Sequence, residues 1–177
     1  MCLYYLARIN KRAILGITYI RMCVNTSMLL LKGSLENFLH SLNDYLERRS
    51  QLIRQFPPGT FLWGAKRIDS RVKRGVGVFI YVTRNQYNEG GLALYGTLLD
   101  VGELKERYWP HGEWNYLLPI AVGKIAKSIV EHPKTPSEWR LPTRHDLNEI
   151  GIKVLPGIQS LTSEQANNLL AIFSKYT

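Results

Sequence analysis

Thr60-Phe61-Leu62-Trp63-Gly64-Ala65-Lys66-Arg67-Ile68-Asp69-Ser70-Arg71-Val72-Lys73-Arg74-Gly75, followed after Val76 by Gly77-Val78-Phe79-Ile80-Tyr81-Val82-Thr83, decides how this chain folds. The first part opens as a short strand that runs into a glycine. The second is β-branched and aromatic throughout, the composition of a half-buried or buried strand. Between them lies a basic segment in which only Asp69 carries a negative charge. Downstream, Asn88-Glu89-Gly90-Gly91 reads as a turn and Leu92 to Val101 as a further strand. Gly96 within that strand predicts a bulge or a close approach to the backbone. Asn115 to Ile125 predicts another strand, with Pro119 demoting its part to an edge or a bulge.

Upstream the pattern changes period. From Ser34 to Gln55, Leu35, Phe38, Leu39, Leu42, Tyr45, Leu46, Leu52 and Ile53 recur at three- and four-residue steps, which predicts one helix stopped by Pro57-Pro58-Gly59. Arg48, Arg49 and Arg54 read as its solvated face. Residues 1–32 read as one or two strands forming an edge hairpin, with a biological start at Met22 or Met28 as the alternative. Ser128 to Leu141 holds Pro133 and Pro136, with Pro142 just after it, and reads as a loop. Thr162 and Gln165 form a capping box ahead of a final helix that buries Leu169, Leu170, Ile172 and Phe173. Short strands with flanking helices predict an α+β fold on a small curved or closed β-barrel.

The 177 residues are 45% hydrophobic and 21% charged, enough apolar side chain for a core and too little charge for a disordered chain. Lys and Arg outnumber Asp and Glu by 23 to 14, and a net +9 favours a polyanionic partner. Cys2 and Cys23 cannot build a disulfide framework. His40, His111, His132 and His145 fall in no metal-ligand spacing, so neither a metal nor another cofactor is expected. The basic residues Arg8, Lys11, Arg12, Arg21 and Lys32 interrupt every apolar run near the start, so no membrane span or signal peptide is read and a cytoplasmic location is expected. There is no Walker loop and no GxGxxG.

The string from Trp63 to Val82 resembles the opening of EVE domains of the PUA-like superfamily, with their Trp-Gly, basic stretch, turn and strand ending in Tyr-Val. Leu94-Tyr95-Gly96-Thr97-Leu98 is similar to the strand that follows in that family. Asn115-Tyr116-Leu117-Leu118-Pro119-Ile120 sits where EVE domains carry a Tyr-Pro strand with an arginine; here the arginine is missing and the proline is displaced. Gly157-Ile158-Gln159-Ser160-Leu161-Thr162 resembles the closing segment. The resemblance covers about residues 60–177, which divides the chain into a 1–59 N-terminal strand and helix extension and a 60–177 EVE/PUA-like domain, the two forming one compact unit. EVE domains are similar to YTH domains, which hold N6-methyladenosine in an aromatic cage. A similar module opens some archaeal McrB-type restriction proteins. The resemblance therefore implies a non-catalytic reader of a modified base, N6-methyladenine in DNA first, attached to an AAA+ GTPase domain outside this chain.

A reader of this kind flips a base out and holds it between π faces. Trp63, at a strand end before a glycine, is either the first cage wall implied by the resemblance or a core tryptophan. Tyr108-Trp109-Pro110-His111-Gly112-Glu113-Trp114 packs three aromatics into a turn-rich loop. Trp109 is taken as the second wall and Trp114 as the more buried partner, with Tyr81 added if its parity faces the cavity; Trp139 is read as packing. Asp146 resembles the aspartate of an Arg-Asp pair in YTH domains and, with Asn148 and Ser70, is a candidate for the base edge; Asp146 as a helix N-cap is the other reading. Thr83 and Asn85 are lesser candidates. Lys66, Arg67, Arg71, Lys73, Arg74 and Arg84 would hold phosphates.

Three other readings compete. The same fold could read modified RNA. It could be an ASCH-like hydrolase, although Lys73, Thr83 and Glu103 are the loosest of triads. It could also be a structural subunit whose aromatics are all core.

Overall fold

The computed structural model describes residues 28–83, 89–105, 107–110 and 112–177. The early hairpin, Cys2, Cys23, Met22, Arg84, Asn85 and His111 lie outside the described residues.

The architecture is α+β, one curled sheet carrying helices. Its strands are β1 (Met28–Gly33), β2 (Thr60–Ala65), β3 (Gly77–Val82), β4 (Gly91–Leu98), β5 (Gly102–Glu103), β6 (Tyr116–Ile125) and β7 (Ile158–Leu161), in the order β2-β6-β4-β3-β1-β7 with β5 on β6. Among the described residues only β1 and β3 run parallel, and every other pairing is antiparallel. Among the described residues the two ends of this path, β2 and β7, do not pair with each other. Across the described residues the sheet is therefore curled and open.

Met28-Leu29-Leu30-Leu31 is buried without alternation, the mark of a strand covered on both faces. β1 lies between β3 and β7, matching Leu30 to Phe79 and to Gln159. It is an interior strand and not part of an edge hairpin. A boundary between residues 59 and 60 accordingly does not divide the sheet. Sequence reading placed this segment outside because a central parallel strand needs a distant partner, which local pattern does not reveal.

The long helical pattern after β1 is broken once. Ser34 caps α1 (Leu35–Glu47) through the Asn37 amide, and α1 ends at Arg48, whose φ of 49° is left-handed. Arg48 is held there because its guanidinium donates to the carbonyls of Phe56 (2.7 Å), Ile53 (3.1 Å) and Pro57 (3.3 Å). It is a clasp and not part of a solvated face. The chain restarts in α2 (Gln51–Arg54), capped by Ser50. Asp44 ties the two together, accepting from Ser50 N (2.8 Å) and Ser50 Oγ (2.5 Å).

The helices cover opposite faces of the sheet. Phe38 of α1 meets Phe61 at 5.4 Å between ring centroids. Phe173 of α5 (Ser163–Phe173) meets Phe79 edge-on at 6.3 Å. The Thr162–Gln165 capping box starts α5 as the sequence predicts. The proline-rich stretch expected to be loop contains α3 (Lys127–Glu131) and a short turn of 3-10 helix. Trp139 fixes it, buried and donating its indole N–H to the His132 carbonyl at 2.8 Å. A six-residue α4 (Arg144–Glu149) follows.

Two irregularities aim β6. The ladder shifts register between Tyr95 and Gly96, where a Cβ on Gly96 would come within 2.4 Å of the Ala121 carbonyl. Pro119 lies in an interior strand, paired with Leu62 of β2, at the seam where β4 gives way to β5. Its carbonyl accepts from Leu99 N at 2.8 Å. The seam tolerates a residue without an N–H, so Pro119 does not mark a sheet edge.

Candidate nucleic-acid interface

Between β2 and β3 the chain forms a surface loop over residues 66–76. Val72 and Val76 are buried and pin it to the core. Val72 N donates to Asp69 O (3.0 Å), Val76 N to Lys73 O (3.3 Å) and Gly75 N to Leu98 O (2.8 Å), so the backbone is turned twice and tied to β4. With the two valines facing inwards, Lys66, Arg67, Ser70, Arg71, Lys73 and Arg74 are all exposed. Arg71 is already engaged. Its Nε donates to Asp69 Oδ1 at 2.9 Å and its Nη1 to Ser160 Oγ at 3.0 Å. The Arg71 hydrogen bonds hold the Asp69 carboxyl down to about 2. Arg67, Lys73 and Arg74 have no acidic partner among the described residues. They are the uncompensated part of the loop.

Asp69 therefore subtracts one charge from the loop and holds one of its arginines. Asp69→Asn should tighten binding to any polyanion and steepen its log–log salt dependence by about 1. Asp69 stays ionised above about pH 2. Its contribution is complete above the carboxylate's unfolded pKa and is lost only as pH falls through that low value, so the effect should be constant across the neutral range. Salt titrations of the two proteins against one oligonucleotide measure it; equal slopes would mean that the loop does not meet phosphate.

An aromatic column runs from the core to the root of this loop. Phe61 and Trp63, two residues apart on β2, stack at 6.2 Å with 25° between planes. Trp63 meets Trp109 edge-on at 6.4 Å, and Trp109 meets Trp114 at 5.6 Å. Lys66 Nζ stands 5.8 Å from the Trp114 centroid. Asn115 Nδ2 donates to the Lys66 carbonyl at 3.1 Å, which joins the loop to this end of the column. The first three rings are buried, Phe61 0%, Trp63 4% and Trp109 1% exposed, and only the outermost of the four, Trp114, is half-buried. Sequence reading expected Trp109 as the open wall and Trp114 as the buried partner; the structure reverses their order.

Glycine makes the column possible. The Trp63 ring lies where a Cβ on Gly33 would sit, 2.2 Å from its Cζ2, and Trp109 lies over Gly64 in the same way at 2.2 Å. Trp109 is also held by polar groups. Its Nε1 donates to the Asn37 carbonyl (3.1 Å) and to Ser41 Oγ (3.1 Å) on α1. Its neighbour Tyr108 donates to Asp44 Oδ2 at 2.8 Å, and burial together with this carboxylate pushes the phenol's pKa well up. His40 stacks edge-on against Tyr108 at 4.8 Å, and burial lowers its pKa. Arg107 Nε donates to the Trp109 carbonyl at 3.2 Å, and its guanidinium also reaches Pro110 O.

At the outer end lies a concavity of about 550 Å³, lined among others by Lys105, Arg107, Tyr108, Glu113, Trp114 and Asn115. Three cations, with Lys66, thus surround one half-buried indole and the edge of a phenol. A planar ring could rest on Trp114 there, with phosphate reached from the loop.

The remaining candidates do not converge on this place. Tyr81 is buried on β3, but Trp63 covers Gly33, whose face alternates through Leu31 to Ile80. Tyr81 therefore projects to the opposite face, with Phe79, and cannot share a cage with Trp63. Burial raises its pKa, with Arg144 nearby opposing. Asp146 is neither an N-cap nor free for a base edge. Thr143 is the N-cap of α4, and the Asp146 carboxylate closes a capping box on it, accepting from Thr143 N (2.6 Å) and Oγ1 (2.9 Å). Asn148 is exposed on α4. Sequence reading missed Asn37, Ser41, Lys105 and Arg107. The first two carried a signal: polar residues one turn apart beside the apolar Phe38 and Leu42.

Among the described residues no group of three or more His, Cys, Asp or Glu is placed to hold a metal ion, and no helix is long and apolar enough to cross a membrane.

No protein-family model and no curated protein matches the chain. Solved structures do. A hypothetical protein from Leishmania major aligns over 84% of this chain and 95% of its own at 12% identity, with a TM-score of 0.53. A protein from Pseudomonas syringae aligns over 82% and 99% at 15% identity, with a TM-score of 0.50. The human THYN1 protein, solved in complex with DNA containing 5-methylcytosine, aligns over 85% and 99% at 17% identity, with a TM-score of 0.48. At these identities the likeness to the Leishmania and Pseudomonas structures is one of fold alone.

Proposed function

We propose that this chain is a non-catalytic nucleic-acid-binding module that takes one extruded, modified base against the aromatic column, N6-methyladenine in DNA being the first candidate. The observation that carries the reading is a juxtaposition. The uncompensated cations Arg67, Lys73 and Arg74 lie on the loop whose root, Lys66, stands over the exposed end of a four-ring column. Phosphate contacts position such a module, and a π face receives a base without regard to its sequence. The net charge of +9 supplies the long-range attraction. Service as the targeting domain of a modification-dependent restriction system, with a GTPase domain elsewhere, follows from the sequence resemblance alone, and a cytoplasmic location from the lack of a readable membrane span or signal peptide in the sequence.

The test is a titration with matched DNA and RNA oligonucleotides. Each carries adenine, N6-methyladenine, cytosine or 5-methylcytosine at one position, and each is measured at two salt concentrations. Tighter binding of one modified DNA supports the reading. Preference for RNA moves the substrate to the RNA alternative. Equal, salt-sensitive binding leaves a general nucleic-acid surface. No binding to any probe overturns the proposal.

A further inference from the structure

Trp109 is an unusual residue to find so deep. It comes from a surface segment, is bracketed by the exposed Arg107 and Pro110, and yet is 1% exposed. Its indole fills a slot between Trp63 and Trp114, lies on the bare backbone of Gly64 and donates its N–H to Asn37 O and Ser41 Oγ. The slot is walled by two indoles inclined at 74° and 56° to the ring it holds, floored by the Gly64 backbone, and offers two acceptors for one N–H. A second observation falls on the residue whose backbone carbonyl receives the indole N–H. Asn37, only 7% exposed, has a buried Oδ1 with no hydrogen-bond partner among the described residues. A buried unpaired amide oxygen is rare and destabilising unless something else satisfies it. Trp109 satisfies the Asn37 carbonyl and leaves the side-chain oxygen unpaired.

We infer that Trp109 is the resident of a socket for a flat ring bearing N–H donors, and that a nucleobase with an exocyclic amino group enters when the indole withdraws. The inference rests on the proposed nucleic-acid reading and adds that the site is occluded by the protein's own side chain. A base with an exocyclic amine presents an N–H on a planar aromatic, as indole does, and would meet the Asn37 carbonyl and Ser41 Oγ that now receive the indole, with the unpaired Asn37 Oδ1 on the same residue. Trp114, half-buried at the mouth, is the surface on which the incoming ring first stacks. A bound nucleic acid must therefore do two things, meet the basic loop and expel Trp109. Phosphate contact alone is not enough.

Two measurements test this on the whole chain. In Trp109→Ala the vacated slot should bind indole, and adenine after it. Indole at a hundredfold excess over its Kd should raise the Tm of the variant by about 5–10 °C and leave the wild type unchanged. A folded variant that indole and adenine do not stabilise overturns the socket. If Trp109→Ala does not fold, Gly64→Ala replaces it, because a methyl there occupies the indole's place 2.2 Å from the ring and evicts it without deleting it; the expected result is a Trp109 exposed before any ligand is added. In the wild type labelled with 5-fluorotryptophan, and assigned with Trp109→Phe, the Trp109 resonance should move to a solvent-exposed position when the preferred oligonucleotide binds. Binding that leaves this resonance unmoved overturns the occlusion while sparing the nucleic-acid reading. An oligonucleotide panel with no binder removes that reading, and the indole titration still decides the socket.

Discussion

Replacing Arg67, Lys73 and Arg74 together by alanine should flatten the salt dependence of nucleic-acid binding by about 2.7 for a duplex or about 2.1 for a single strand, at 0.9 or 0.7 per neutralised phosphate. Across a fourfold rise in salt the wild type should then lose roughly 40-fold more duplex affinity than the variant. The three residues are chosen on geometry. Each is exposed on the loop that Val72 and Val76 anchor, and none has an acidic partner among the described residues. Arg71→Ala should have a smaller effect, because Arg71 is committed to Asp69 and Ser160. The loss should be nearly uniform over modified and plain probes, since phosphate contacts position and do not specify. Circular dichroism and Tm should stay at wild-type values, because the backbone bonds of the loop do not involve these side chains. A triple variant with an unchanged salt slope would place the nucleic acid on another surface.

The two halves of the site were unequally legible. The loop's charge is written locally, residue after residue, and its exposure follows from the spacing of Val72 and Val76. Trp63 and Trp109 were visible as chemistry but not as positions. Whether a strand-end tryptophan is wall or core depends on what covers it. Here Gly33 and Phe38 do that, both from the segment assigned to an extension. Missing that β1 is an interior strand hid both neighbours at once. The capping box at Thr162 was readable because its partners lie three residues apart. Asp146 was misread because Thr143, one of several small polar residues nearby, takes the cap. The Arg48 clasp was invisible for a related reason: its three acceptors lie beyond a helix break that periodicity alone smooths over.

Trp63→Ala should be strongly destabilising, and this is the sharpest separation between core and cage. Removal of a buried tryptophan side chain costs about 3–5 kcal/mol where the surroundings cannot collapse. Against a total of about 5–15 kcal/mol, that leaves a marginal protein, with Tm lowered by about 10 °C or more. Collapse is hindered here because Phe38, Phe61 and Trp109 all rest on the ring and belong to three different segments. Gly33→Ala approaches the same contact from the other side. Its methyl would fall 2.2 Å from Trp63 Cζ2, so the single change overpacks the site by about 1–3 kcal/mol. The double variant decides the matter. If the two groups compete for one volume, the alanine methyl at residue 33 fills part of the space that Trp63→Ala empties. The pair should then be less destabilised than the sum of the singles, a coupling of about 0.5–3 kcal/mol that chemical denaturation resolves. A Trp63→Ala protein of wild-type stability that has lost only its preference among modified bases would instead make Trp63 a wall of an open cage. The face that covers Gly33 would then have to be available to a ligand in solution.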